Sequence, residues 1–426
     1  MIDHLIKVHR ELTEEEIKEI WKNGIFIFDS NVLLDLYRLP STAKDDLIGV
    51  LQNENFNSRI WIGFQVALEF LNNRLNIIGE QKNMYSKVIK LTEDHVCKIN
   101  ELNEAYVKEI KKLNLTQRHS AIDPSAYINE DTISKSVKKF KKFQKYLKDS
   151  ETEHIDVNNV DSIKDIIFQI FKDKIGEPFE KAELDKINKE GEERYKNSFP
   201  PGYMDMKKEG QHAYKELSFV RKFGDLYLWN EIMNYTNTSK SRYIVLVTGD
   251  VKEDWWEEKR GRKLGPRKEL LNEIYSKCES LNRFHIYNTS TFLKFAKQEL
   301  DNNIKETSIE DTQNLIDENL RRSKMNLLSN QIKSEIFSID KQIQELKSLL
   351  HNNYLRNERI SEYRDGLYNN SEPSDDIRDH AHNLGYLEDE LQQEKEELTN
   401  NIKNLELNKM RLFDRYRYYL EKNNNK

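Results

Sequence analysis

Residues 26–35 read FIFDSNVLLD. The apolar run that begins at Ile25 stops at Asp29, and a second apolar run starts at Val32. Short, continuous runs of β-branched and aromatic residues mark a strand buried on both faces. A carboxylate at the end of such a strand loses hydration and needs a partner there. The same pattern returns in RIWIGF (59–64), RYIVLVTGD (242–250) and RFHIYN (283–288). Segments with helical spacing follow the first three: STAKDDLIGVLQN, QVALEFLNNRL and GPRKELLNEIYSKC. Buried strands alternating with helices predict an α/β domain, its parallel sheet covered by helices on both faces. Upstream, Thr13 and Glu16 have capping-box spacing and predict a short helix from Glu14 to Asn23, stopped by Gly24.

The strand pattern breaks off near Arg74 and resumes near Phe199. Residues 1–74 and 198–303 are therefore expected to form the α/β domain, and 75–197 a helical insertion within it. Three helical pieces are expected there: 83–115, 131–149 with seven lysines between 135 and 148, and 160–179. From 304 to 426 the composition turns strongly charged and almost free of Gly and Pro. Ile332, Ile336, Ile339, Ile343, Leu346 and Leu350 form a heptad seam, and Leu384, Leu387, Leu391, Leu398, Ile402 and Leu405 form a second, interrupted by Glu394. A polar break at 364–376 separates them, which predicts an antiparallel coiled-coil hairpin. This arm is expected to carry self-association or a protein partner rather than chemistry; His380 and His382 lie in it as solvated residues.

The formal net charge of −6 excludes a globally basic surface, so contact with nucleic acid has to rest on local patches. The two cysteines, Cys97 and Cys278, have no zinc or CxxC spacing and read as reduced thiols. No basic segment leads into an apolar one at the N-terminus, and no apolar stretch is long enough to span a bilayer; a cytoplasmic protein without membrane contact is expected. There is no P-loop, no GxSxG elbow and no HExxH.

Ligands in open parallel sheets bind beyond the carboxyl ends of the strands. Asp29 ends the first strand, Glu69 opens the helix after the second, Asp250 ends the third, and Asp225 follows Gly224 at a helix start. Taken singly, each acid has a plain structural role: Asp225 as a helix cap, Asp254 as a surface acid beside Trp255 and Trp256, and Asp35 as a solvated helix position. Four acids converging on one edge repel one another, and a hard divalent cation such as Mg²⁺ or Mn²⁺ relieves that conflict. Two such ions about 3.5–4 Å apart are a standard arrangement for hydrolysing phosphodiesters.

The segments FIFDSNVLLDLYR, IWIGFQVALEFLNNR, PPGYMD, FGDLYLWNEI, IVLVTGDVKEDWW, GPRKELL and FHIYNTSTFLKFA resemble the PIN domain, more closely the bacterial PIN-like group with a long helical insertion. The resemblance covers about 20–74 and 198–298. It implies a Rossmann-like, Mg²⁺- or Mn²⁺-dependent nuclease holding one or two ions on Asp29, Glu69, Asp225 and Asp250. Asn31 and Thr248 match the polar positions that support those acids, and Asp205, Lys252, Asp254 and Arg267 become supporting or phosphate-contacting candidates. Products with 5′-phosphate and 3′-hydroxyl ends, and a place in phage defence or as a toxin, are implied by the same resemblance. The basic stretch 257–269, with Arg262 and Arg267, is the expected grip on an RNA or DNA substrate, ahead of the lysine-rich helix at 135–148. Two other readings stand beside this one. A docking protein would use the fold without catalysis. A haloacid-dehalogenase-type phosphoryl transferase wants a second Asp two residues after the first, where this chain has Asn31.

Overall fold

The computed structural model describes residues 2–113, 130–153, 156–260, 262–300, 303–368 and 375–424. In chain order, α1 (Ile2–His9) and α2 (Glu14–Asn23) precede β1 (Ile25–Phe28), α3 (Ser30–Asp35), α4 (Ser41–Gln52), α5 (Glu54–Asn57) and β2 (Ile60–Trp61). Then come α6 (Phe64–Leu113), α7 (Glu130–Glu153), α8 (Ser162–Ile170), α9 (Lys181–Lys196), β3 (Gln211–Tyr214) and β4 (Leu217–Val220). They are followed by α10 (Gly224–Ser239), β5 (Tyr243–Val247), β6 (Trp256–Lys259), β7 (Arg262–Pro266), α11 (Lys268–Lys277), β8 (Arg283–Tyr287) and α12 (Thr289–Glu299). Two long helices, α13 (Glu306–Tyr368) and α14 (Asp375–Asn424), complete the described chain.

The expected capping box forms, with Thr13 and Glu16 each satisfying the other's backbone N–H at the head of α2. The backbone turns extended at Gly24 and ends that helix, and a Cβ there would stand 2.5 Å from Ile20 O. β1 then enters a four-stranded, all-parallel sheet of order β2-β1-β5-β8. Phe26, Ile27 and Phe28 are fully buried, as a strand covered by helices on both faces requires. Trp21 of α2 packs on Phe26 with ring centroids 4.7 Å apart, and Phe56 and Phe292 close the same cluster. The central parallel sheet, its flanking helices and the long C-terminal helices are the fold class expected from the sequence.

The second strand is shorter than its apolar run: only Ile60 and Trp61 pair with β1, because Gly63 and Phe64 turn the chain into α6. Ile62 instead pairs with Ile175, so the segment after α8 extends the sheet edge. Ile163, Ile167, Ile170 and Phe171 sit in the same core as β1, and α6 runs without a break past residue 75. Of the first expected helical piece, residues 114 and 115 lie outside the described residues.

The chain divides into two compact units, Met1–Ile316 and Asp317–Lys426. Within the second, α13 and α14 run antiparallel: Asp340 pairs with Lys409, Lys347 with Glu406 and Arg364 with Glu388, numbers rising on one helix as they fall on the other. Ile332, Ile336, Ile343, Leu391, Leu398 and Ile402 are buried along the seam. Glu394, which breaks the apolar pattern, has a partner on the facing helix: buried Asn353 donates to Glu394 Oε2 at 2.8 Å and to Leu391 O at 3.0 Å. One satisfied polar pair in an apolar seam is a register device. The expected break began at 364, but α13 continues to Tyr368; 369–374 lie outside the described residues.

Candidate active site

In this sheet the chain leaves β1 toward β2 on one side and β5 toward β8 on the other. The crevice of a doubly wound sheet lies where the crossovers diverge in this way, beyond the carboxyl ends of β1 and β5. Asp29 and the stretch Thr248–Asp250 stand there. Asp29 N–H extends the ladder to Val247 O at 3.0 Å. Its Oδ1 caps α3 by accepting from Ser30 N at 2.6 Å. Its Oδ2 accepts from Asn31 Nδ2 and from Thr248 Oγ1, both at 2.7 Å. Asn31 Oδ1 accepts from Gly249 N at 2.6 Å, and Thr248 Oγ1 from Asp250 N at 2.9 Å. Asn31 and Thr248 thus lace the two strand ends together, fixing the Asp29 carboxylate and the backbone of Asp250. Asp35 is not a solvated residue: it is 2% exposed, pairs with Arg38 at 3.1 Å, and its Oδ2 stands 3.3 Å from the place a Cβ on Gly249 would take.

Glu69 lies on the second turn of α6 and its Oε2 faces the start of α10, 3.9 Å from where a Cβ on Gly224 would be. Burial, then the charges of Glu69 and Asp250, push the Asp29 carboxyl up to about 6. Asp225 is the second residue of α10 rather than its cap, which is Phe223. Its Oδ2 is closed off from solvent with no hydrogen-bond partner. Burial raises its pKa well above the ordinary value, Lys252 opposes that, and Asp205, Asp250 and Asp254 add to it. The acids therefore form two overlapping groups, one of Asp29, Glu69 and Asp250, the other of Asp225, Asp205, Asp254 and Asp250.

Asp254 is fully buried, not a surface acid; its Oδ2 accepts from Gly202 N at 3.0 Å and Met204 N at 3.3 Å. It holds the PPGYMD segment in place, where Gly202 takes φ +89° and a Cβ would stand 2.2 Å from Tyr195 Oη. Burial, then Asp250, pushes Asp254 up to about 6. Asp205, on the same segment, takes Lys252 at 2.9 Å and Lys208 at 2.6 Å.

The stretch expected to grip phosphates is the hairpin β6–β7, and several of its cations are already engaged. Arg267 makes a bidentate pair with Glu269, at 3.1 and 2.6 Å, and reaches Tyr203 Oη at 3.3 Å. Lys263 lies over the Trp256 ring, and Lys268 donates to Val8 O. The Arg262 side chain and Gly261 lie outside the described residues. In the lysine-rich α7, Phe140 packs on His95 of α6, whereas Phe143 and Tyr146 are 45% and 66% exposed.

His212 belongs to this region and escaped the sequence reading. It pairs with Phe219 across the β3–β4 hairpin, so the two side chains share a face. Phe219 and Tyr214 pack on Phe64 at the head of α6, which brings His212 within the field of Glu69. The available signal was the alternation in QHAYKELSFV; it lacks a Gly or Asn turn, and Lys215 supplies the left-handed residue at φ +51°.

Glu231 positions α6 itself. This buried carboxylate accepts from Gln65 N at 2.9 Å, capping the helix that carries Glu69, and only glycine fits at 63, where a Cβ would stand 1.9 Å from Glu231 Oε2. Burial, weakly opposed by those backbone bonds, pushes it up to about 8. A folded pKa above the unfolded one contributes stability at acid pH that is lost as pH rises through about 8. Glu231→Gln keeps the acceptor and cannot ionise. We expect the variant and the parent to unfold alike near pH 4, and the variant to be more stable by about 3–5 kcal/mol above pH 8. Urea midpoints measured across that range check it; parallel pH curves for the two proteins would defeat it.

Acids from several segments thus gather at the carboxyl edge of an open parallel sheet. A family model described as a PIN like domain matches residues 25–270, more than half of the chain, and the chain belongs to that family, whose members are in general nucleases. No curated protein and no solved structure matches it. Among the described residues no three or more of His, Cys, Asp and Glu stand as a ready metal-holding group, and no helix is long and apolar enough to cross a membrane.

Proposed function

We propose that the chain is a Mg²⁺- or Mn²⁺-dependent phosphodiester hydrolase acting on RNA or DNA. The observation that carries this is the meeting of Asp29, Glu69 and Asp250, from three separate segments, at the crevice beyond β1 and β5. The donor set fits a hard cation: every group is a carboxylate, and the neighbouring Asp225 Oδ2 is buried with nothing bonded to it. Asp29, Glu69 and Asp250 would hold the ion, with Asp225 beside them. When bound, it supplies Lewis-acid polarisation of the phosphate and a more acidic water.

The chain's own residues do the rest. Asn31 and Thr248 hold the Asp29 carboxylate, and Thr248 also holds the backbone of Asp250, at the crevice. A carboxylate there takes the proton of the attacking water as its oxygen bonds to phosphorus. The bond from phosphorus to the 3′ oxygen breaks, leaving a 5′-phosphate and a 3′-hydroxyl that gains its proton from solvent. On the hairpin side Lys208 pairs with Asp205, and His212 lies within the fields of Glu69 and Arg221. Arg221 and His212 are placed to meet the polyanion. The antiparallel pair α13–α14 is the surface we assign to self-association or a protein partner.

The test incubates the full chain with end-labelled single- and double-stranded RNA and DNA, in Mg²⁺, Mn²⁺ or EDTA, beside an Asp29→Asn, Asp250→Asn double variant. Metal-dependent cleavage that disappears in the variant is expected. Cleavage that persists in EDTA, or in the folded variant, refutes the assignment. A chain that cuts none of the polymers and binds no Mn²⁺ is a docking protein.

A further inference from the structure

The two groups of acids meet at one side chain. Lys252 Nζ stands 2.9 Å from Asp205 Oδ2 and 3.1 Å from Asp250 Oδ2. Its backbone N–H donates to Asp250 Oδ1 at 2.8 Å, so the same two residues are clasped twice. Asp225, whose Oδ2 is sealed from solvent without a partner, is close enough for its charge to act on the ammonium. The ammonium thus stands amid Asp205, Asp225 and Asp250, where a divalent ion shared between Asp225 and Asp250 would otherwise balance them. The arrangement is braced from behind. Lys208 takes the same Oδ2 of Asp205 at 2.6 Å, and Asp254 pins the PPGYMD segment through Gly202 and Met204.

From this geometry we propose that the centre takes a single divalent ion, on the side of Asp29, Glu69 and Asp250, and that the Lys252 ammonium permanently fills the second cation place. The inference rests on the metal-dependent reading proposed above. A fixed ammonium neutralises charge on Asp250 at every stage of turnover, but it offers no exchangeable water. In this arrangement one ion and one lysine flank the scissile phosphate, where a two-metal site has two ions. Lysine suits the task because its charge is compact and its flexible stem reaches a buried carboxylate pair.

The test counts Mn²⁺ by titration calorimetry and by the paramagnetic resonance signal of the free ion, so it does not depend on turnover. The parent and Lys252→Arg are each expected to bind one ion per chain, and Lys252→Met two, since removing the ammonium opens the Asp205–Asp225–Asp250 side. Lys252→Gln, which keeps a donor toward Asp205, replaces the Met variant if that one does not fold. Two ions on the parent overturn the proposal and leave the nuclease assignment standing. One ion on a folded Met or Gln variant overturns it in the same way. No ion on the parent at millimolar Mn²⁺ refutes the metal-dependent reading itself, and this inference with it.

Discussion

Asp250→Asn is expected to lower the rate of phosphodiester cleavage by about 10²–10³-fold or more, while leaving the fold intact or slightly more stable. The two effects part company because Asp250 meets two different demands. Its carboxylate accepts from Lys252 N at 2.8 Å, and asparagine, of the same size, keeps that acceptor and so keeps the loop after β5. What asparagine removes is a negative charge that burdens its neighbours: Asp250 helps to raise Asp29, Asp225 and Asp254. Relieving that repulsion offsets the weakened ion pair with Lys252. The cation proposed for the centre, however, loses one of the carboxylates that would hold it. Single-turnover cleavage and a thermal melt of the same preparation separate the two effects. Activity within tenfold of the parent would remove Asp250 from the chemistry. A large loss of stability would mean that its role is structural.

The edge on which the acids gather was legible because its signal is local. A buried strand announces itself as an apolar run, and Asp29 interrupts that run where the strand stops. What lay beyond reach was which distant groups close around these acids. The sequence places Lys252 two residues after Asp250, but only the fold bends its side chain back onto Asp250 and across to Asp205. Arg267 shows the converse: a basic residue beside the site is taken by Glu269, two residues along, so composition overstates the charge on offer. The segment 160–179 shows the same limit in packing. Its helical period gives α8, yet nothing local says that Ile175 joins the sheet edge or that Phe171 enters the main core. Asp254 looked like a surface acid because it sits beside two tryptophans in a polar stretch; its burial follows from the backbone N–H groups of a segment some fifty residues earlier.

That earlier segment depends on one buried ion pair, and breaking the pair is the severest change to stability that we expect. Arg194 of α9 meets Glu273 of α11 in a bidentate pair, at 2.8 and 2.9 Å, with both side chains nearly buried. Trp229 Nε1 donates to the same carboxylate at 2.9 Å. Arg194 also donates to Pro200 O and lies over the Phe199 ring, so the pair anchors the start of the PPGYMD segment that carries Asp205. Burial works against the ionised Glu273, yet the bonds from Arg194 hold it down at about 2. A depressed folded pKa gives stability that is present above the ordinary carboxylate range and lost as pH falls through about 2. Glu273→Ala leaves the nearly buried guanidinium with only the more exposed Glu190, 3.5 Å away, as counter-charge, at a cost of about 3–5 kcal/mol. The double change Arg194→Met, Glu273→Leu removes both charges together and is expected to cost far less, because neither ion has then to be desolvated. Denaturant unfolding of Arg194→Met, Glu273→Leu and the double variant completes the cycle. If the pair does anchor the segment, the double variant should be stable yet cleave poorly, its Asp205 and Lys252 no longer held beside Asp250. Additive losses in the cycle would show that Arg194 and Glu273 act separately.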